Sequence, residues 1–299
     1  MCIRDSLTRA HTFCGESFSL SMWPSCAAHY NFTFHPAYDA WYDYVWAAGY
    51  SPHGPVHYFV GGYVNCAGLE ERFGGLIDAD GARSLALLLL GVPKNLWRDG
   101  YVESPSYCAA DAEQTSCHLV CAGEPSDATW AAEMMVILLH YAELFSKTGL
   151  DIKYEWLERM APSNYTAFLD VFCTMAWAPG EQMEAASPAD VSFWPIHPAM
   201  ERLLQYKMLA RPFTSLAWTD SAGPYCEYTG TCKGHHGFDV TAFANAHLDA
   251  ASGEFREAYL TNGELLAAID PNDYRMPYIY ENFEWPHCAA EHGVAFPSV

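Results

Sequence analysis

The stretch Ser187-Pro188-Ala189-Asp190-Val191-Ser192-Phe193-Trp194-Pro195-Ile196-His197-Pro198-Ala199-Met200-Glu201-Arg202-Leu203 joins a polar turn, two aromatics, a proline-flanked histidine and an apolar run. Pro198 suits the first turn of a helix, where its missing N–H is not needed, so the spacing predicts a helix over 199–210. Far upstream, His53-Gly54-Pro55-Val56-His57 leads into Val60-Gly61-Gly62. If a helix starts here, an i,i+4 pair puts both imidazoles on one face, close enough to share a metal ion. Gly54 and Pro55 place that pair at the helix's first turn. Neutral imidazole is a common ligand for copper and zinc. Two histidines at this spacing are by themselves a weak motif in a chain with 13 of them.

Taken together and in order, the two segments resemble the second copper site of the tyrosinase and polyphenol oxidase family. That family's third-ligand segment reads S-x-x-D-P-x-F-W-x-H-H-x-x-x-D-R-L. Ser187, Asp190, Phe193, Trp194, His197, Arg202 and Leu203 match it, Glu201 replaces an aspartate, and Ile196 stands for the first of the doubled histidines. The stretch from His53 to Gly62 is similar to the family's H-[NG]-x-V-H-x-x-x-G-G.

The resemblance implies a mainly α fold: a tyrosinase-like helical bundle around a copper site, with a large insertion and an irregular, cysteine-containing C-terminal region. His53, His57 and His197 would be the copper ligands, in a protein that holds two coppers at full length. The implied activity is copper-dependent oxidation of o-diphenols, with monophenols as further candidates, to quinones by dioxygen. Three imidazoles suit both oxidation states of copper and leave positions open for oxygen. Gly54 stands where many tyrosinases carry an asparagine that helps orient a water, which favours diphenols over monophenols. Arg202, beyond His197 on the same helix, is expected to pair with an acid such as Asp190.

The resemblance also shapes the domain reading. His57 and His197 lie 140 residues apart, where the family has a few tens, so an insertion over about 67–186 is expected. Residues 7–210 then form a partial copper-binding domain and 211–299 a C-terminal extension. Helix-like spacing occurs over 35–50 and 80–91. Asp127 reads as the N-cap of a helix to about Lys147, another is expected over 165–177, and 101–126 reads as a disulfide-pinned loop.

Composition limits the remaining options. The 299 residues carry 15 basic against 36 acidic side chains, a formal charge of −21, so no basic face exists for nucleic-acid phosphates. Aromatics at 15% and charged residues at 17% exclude disorder. The longest apolar run, Leu85 to Leu90, is far shorter than the ~20 residues of a membrane span. There are 11 cysteines and two glycosylation sequons, at Asn31 and Asn164, which together point to a secreted or secretory-lumen protein.

Met1-Cys2-Ile3-Arg4-Asp5-Ser6 resembles a translated adapter remnant, so residues 1–6 are read as a non-native start. Setting Cys2 aside leaves ten cysteines, an even number available for pairing. No apolar signal segment follows, and only His11, His29 and His35 precede His53. The chain is therefore expected to be a fragment whose signal peptide and first copper site are missing. His140 is read as a core or boundary residue, His235-His236 as part of a Cys226–Cys232 disulfide loop, and His287 as the neighbour of a disulfide. Met134, Met135, Met200 and Met208 are read as core filling. Two alternatives stay open: a non-catalytic secreted binding or structural protein with a degenerate metal site, and a reversible oxygen carrier.

Overall fold

The structure is a computed structural model that describes residues 12–14, 16–17, 24–49, 52–60, 63–113, 116–146, 153–178, 180–183, 187–218 and 233–299. The described residues are mainly α-helical. In chain order the helices are α1 (Cys26–Phe34), α2 (Trp41–Ala48), α3 (Gly54–Phe59), α4 (Leu69–Arg72), α5 (Ala79–Leu88) and α6 (Val92–Arg98). There follow α7 (Ala128–Ser146), α8 (Glu155–Glu158), α9 (Tyr165–Thr174), α10 (Phe193–Ala210), α11 (Asn262–Ala268) and α12 (Pro286–His292). Strands occur as short antiparallel pairs: β1 (Thr12–Phe13) with β2 (Glu16–Ser17), β3 (Tyr63–Val64) with β6 (Trp177–Ala178), β4 (Val102–Glu103) with β5 (Val120–Cys121), and β7 (Asn245–Leu248) with β8 (Phe255–Ala258).

Capping chemistry sets several boundaries. The Asp127 carboxylate accepts from the backbone N–H of Thr129 at 2.8 Å and of Trp130 at 3.3 Å, which starts α7 as expected. Asp78 caps α5 in the same way through Gly81 N–H, at 2.8 Å. α9 stops at Thr174, short of the expected Trp177, because Met175 turns extended and the chain enters β6. The loop expected over 101–126 is pinned by Cys108–Cys117, and Cys121–Cys173 ties β5 to α9.

The helix expected over 199–210 instead begins at Phe193 and runs through Pro198. Pro195 falls in the first turn, where no N–H is required, so Pro198 removes only the bond that the Trp194 carbonyl would have accepted. Burial of Leu203, Tyr206 and Met208 on the same helix outweighs that loss. Residues 211–299, expected to be irregular, contain the β7–β8 hairpin, α11 and α12. A reciprocal capping box of Thr261 and Glu264 starts α11.

The chain forms two compact units, and it passes from one to the other after residue 22, at the start of α3 and early in α10. The first comprises 1–22 and 55–194. Its core packs α7 against α6 and α9, burying Met134, Leu138, Phe168, Leu169 and Phe172. Phe73, Phe168, Phe172 and Trp177 form a run of ring contacts with centroids 5.1–6.0 Å apart. Gly91 has no side chain for a steric reason: a Cβ there would fall on the ring of buried Phe145. Gly91→Ala is expected to cost about 1–3 kcal/mol through this overpacking, read as a lower urea midpoint at unchanged slope.

The second unit comprises 23–54 and 195–299, so the C-terminal third shares a unit with α1 and α2. Its core centres on Phe32, Tyr44 and Leu203, with the Phe32 and Tyr44 rings stacked at 4.2 Å. The Cys26–Cys288 disulfide joins α1 to α12. Cys14–Cys66 closes a loop in the first unit. Eight of the ten cysteines available for pairing are therefore bridged; Cys226 and Cys232 lie outside the described residues. No helix among the described residues is long and apolar enough to cross a membrane. Several disulfides are compatible with the expected oxidising compartment.

Candidate metal centre

The three expected ligands arise from two helices. His53 immediately precedes α3, and His57 is the fourth residue of that helix, one turn along continuous backbone. The predicted first-turn arrangement is therefore what forms. Pro52 and Pro55 help to set it, since Pro is tolerated at a helix start and stiffens the entry. His197 is the fifth residue of α10, directly before Pro198. All three side chains are partly buried.

Within the second unit, His53 Nε2 and His197 Nε2 are 3.2 Å apart although 144 residues separate them. Their rings meet edge to face, with centroids 4.7 Å apart and planes at 81°. Two imidazoles on one tetrahedral ion, each about 2.0–2.1 Å from it, would hold their nitrogens about 3.3 Å apart. The pair therefore has the spacing of co-ligands. As it stands, one ring nitrogen donates to the other.

Within the first unit, His57 Nδ1 lies 2.5 Å from the Gln182 carbonyl. A carbonyl can only accept, so Nδ1 carries the hydrogen and Nε2 carries the lone pair. This is the orienting contact that metal-binding histidines make through their second nitrogen. Burial pushes the His57 imidazole below its ordinary pKa; the Gln182 carbonyl opposes this, and Lys94 adds to the lowering. The neutral, ligating form is thus favoured at pH 7.

Gln182 is itself held in place. It is buried, and its side-chain amide donates to Asp190 Oδ1 at 3.4 Å and to Ser192 Oγ. Asp190 Oδ1 also accepts from Ser192 N–H at 2.8 Å. Burial pushes the Asp190 carboxyl up, but the hydrogen bonds from Ser192 and Gln182 outweigh it and hold the group below its ordinary value. A polar bracket thereby fixes the residue that orients His57. Nothing in the sequence marks Gln182 for this role, because its contact is through the backbone and 125 residues away.

His53 and His197 thus form a pair with co-ligand spacing, and His57 follows His53 by one helical turn, which makes the three histidines the candidate ligand set for a metal ion. The donor set is three imidazoles with no carboxylate, which suits zinc or copper and not magnesium or calcium. The nitrogen spacing, the tautomer of His57 and its neutrality all fit such an ion.

Other expectations fare differently. The predicted Arg202–Asp190 ion pair is replaced. Arg202 donates to the Asn282 carbonyl, Asn282 Oδ1 and the Glu284 carbonyl at 2.7–2.9 Å, and its guanidinium lies 4.5 Å over the Trp285 ring. Asp190 is occupied by Ser192 and Gln182. His140, expected in the core or at its boundary, is on the exposed side of α7. His29 lies in α1, and His35 follows that helix and accepts from Ala37 N–H; neither joins the three-histidine group. His11 lies outside the described residues.

His236 pairs with Asp239 at 2.8 Å, while the cysteines expected to flank it lie outside the described residues. His287 does neighbour a disulfide, through Cys288. Met134, Met135 and Met208 fill cores, and Met200 packs against one. No protein-family model, curated protein or solved structure matches this chain.

Proposed function

We propose that His53, His57 and His197 hold a copper ion and that the protein is a copper-dependent oxidoreductase that oxidises o-diphenols to quinones with dioxygen. The observation that carries the metal reading is the co-ligand spacing of His53 and His197, with His57 one turn along from His53 and oriented through its Nδ1 by the Gln182 carbonyl. The choice of copper, and of diphenols as substrate, rests on the resemblance of the two histidine segments to the tyrosinase family. Bound copper would supply the one-electron redox couple and the affinity for oxygen that the reaction needs.

The chain's own residues supply placement. α3 and α10 present the imidazoles, Gln182 fixes one tautomer, and the Asp190–Ser192 bracket keeps Gln182 from turning. Gly54 leaves the position between the first two ligands without a side chain that could orient a water. Diphenols, which need no hydroxylation, are therefore the substrates of choice.

The test is reconstitution of the metal-free protein with copper, followed by metal analysis and a catechol oxidation assay under oxygen. Copper is expected to bind stoichiometrically and to be required for quinone formation. Metal uptake equal to that of a variant lacking all three histidines would overturn the metal reading. Bound copper without quinone formation would overturn the oxidase reading and favour a binding role.

A further inference from the structure

One turn beyond His197 on α10, the Glu201 carboxylate gathers two phenols from the C-terminal segment. Tyr278 Oη donates to Glu201 at 2.6 Å from each carboxylate oxygen. Tyr280 Oη lies 2.9 Å from Glu201 Oε2 and 2.9 Å from the Pro198 carbonyl. The Tyr278 and Tyr280 ring centroids are 6.2 Å apart, and Tyr274 continues the row 6.3 Å from Tyr278. All of these residues belong to one compact unit.

We propose that Tyr278 and Tyr280, with Glu201 as proton acceptor, form a proton-coupled redox pair that gives up single electrons to a one-electron oxidant beside the helix carrying His197. A phenol resists one-electron oxidation while its proton has nowhere to go, because the radical cation is strongly acidic. Here each hydroxyl already points at a carboxylate oxygen. Loss of one electron from Tyr278 or Tyr280 to a one-electron oxidant sends the phenolic proton to Glu201. The products are a neutral tyrosyl radical, a protonated Glu201 and the reduced oxidant, so charge and protons balance. An electron donor of the thiolate or phenolate class returns one electron to the tyrosyl radical and is left as a neutral radical, while the proton passes back from Glu201 to the tyrosine.

Burial and the Glu201 carboxylate push both phenols above their ordinary pKa, which keeps the proton on tyrosine before oxidation. Tyr278 is half exposed, so an external electron donor or acceptor can approach the pair. The short ring spacing lets the oxidised state pass among neighbouring phenols. Only the identity of the oxidant in the working protein, a metal ion at His197, rests on the function proposed above.

The test uses the full chain stripped of metal with a chelator and a photogenerated ruthenium(III) tris-bipyridine complex as oxidant. Tyrosyl radical formation is followed by transient absorption and by electron paramagnetic resonance. The protein is expected to show a fast phase of radical formation that Tyr278→Phe/Tyr280→Phe abolishes and that Tyr107→Phe, at an exposed tyrosine elsewhere, leaves intact. Glu201→Gln keeps both phenols but removes the proton acceptor, and is expected to slow that phase about tenfold or more.

Persistence of the fast phase in the double phenylalanine variant would overturn the proposal, as would an unchanged rate in Glu201→Gln. Should Glu201→Gln fail to fold, the tyrosine variants, which keep their rings, still decide the question. Because no metal is present, a negative result here leaves the copper reading standing. Failed copper binding, in turn, leaves this result untouched.

Discussion

Asp39→Ala is expected to destabilise the protein by about 3–5 kcal/mol, the cost of leaving a buried charge without its partner. Lys207 has a fully buried side chain, with Nζ 2.8 Å from the Thr33 carbonyl and 3.6 Å from Asp39 Oδ1. Aromatic rings pack nearby, Phe213 at 5.2 Å and Tyr44 at 5.9 Å from Nζ, so little on that side replaces a lost carboxylate. Arg211 grips the same carboxylate with two bonds, Nε to Oδ1 at 2.7 Å and Nη2 to Oδ2 at 2.6 Å. Arg211 is 38% exposed and can return to solvent, so the penalty falls on Lys207.

Lys207→Met is expected to cost much less, because Asp39 keeps Arg211 and the core gains an apolar side chain of similar length. Urea unfolding of the two variants separates these outcomes; equal losses would show that the ion pair is not what stabilises this unit. The pH dependence has a definite sign. The hydrogen bond from Arg211 holds the Asp39 carboxyl below its ordinary value, against the opposing effect of burial. Its contribution is fully present above about pH 4 and is lost as pH falls through the depressed value. Asp39→Ala should therefore lose stability at neutral pH and show a shallower decline in acid than the parent protein.

His197→Ala should weaken metal binding by more than about a hundredfold, since removing a ligand costs more than removing its supporting contacts. His197 is the ligand least replaceable by its surroundings: it alone comes from α10, while His53 and His57 are tied to each other by one helical turn. The same substitution should leave the metal-free protein within about 1 kcal/mol of the parent, because the side chain is only partly buried. Thermal melts with and without copper make the distinction. The parent should gain melting temperature on metal addition and the variant should not. An equal gain in both would place the metal elsewhere.

How much of this was legible beforehand depended on distance along the chain. The α7 start at Asp127 and the i,i+4 histidine pair are local, written by residues within a turn of one another; the caps at Asp78 and Thr261 are as local but were not read. The early start of α10 at Phe193 was missed because two prolines argue against helix there, whereas packing of Leu203 and Tyr206 decides for it. The expected Arg202–Asp190 pair does not form, because opposite charges in sequence proximity say nothing about where a longer-range acceptor lies. Asn282 and Glu284 come from about 80 residues away, with better geometry for a guanidinium.

By itself, then, the sequence determined the mainly helical character, the acidic surface charge, the choice of His53, His57 and His197 as candidate ligands, and a cysteine content suited to bridging. The helical character, the charge and the cysteine content follow from composition and from periodicities shorter than a helical turn or two; the choice of the three histidines follows from the resemblance of their two segments to the tyrosinase family. Only the tertiary structure decided that His53 and His197 stand 3.2 Å apart, that a backbone carbonyl at Gln182 sets the His57 tautomer, and that Glu201 collects two phenols. Those contacts join residues some 80 to 144 positions apart, and their geometry is fixed by the packing of whole helices, which no local pattern encodes.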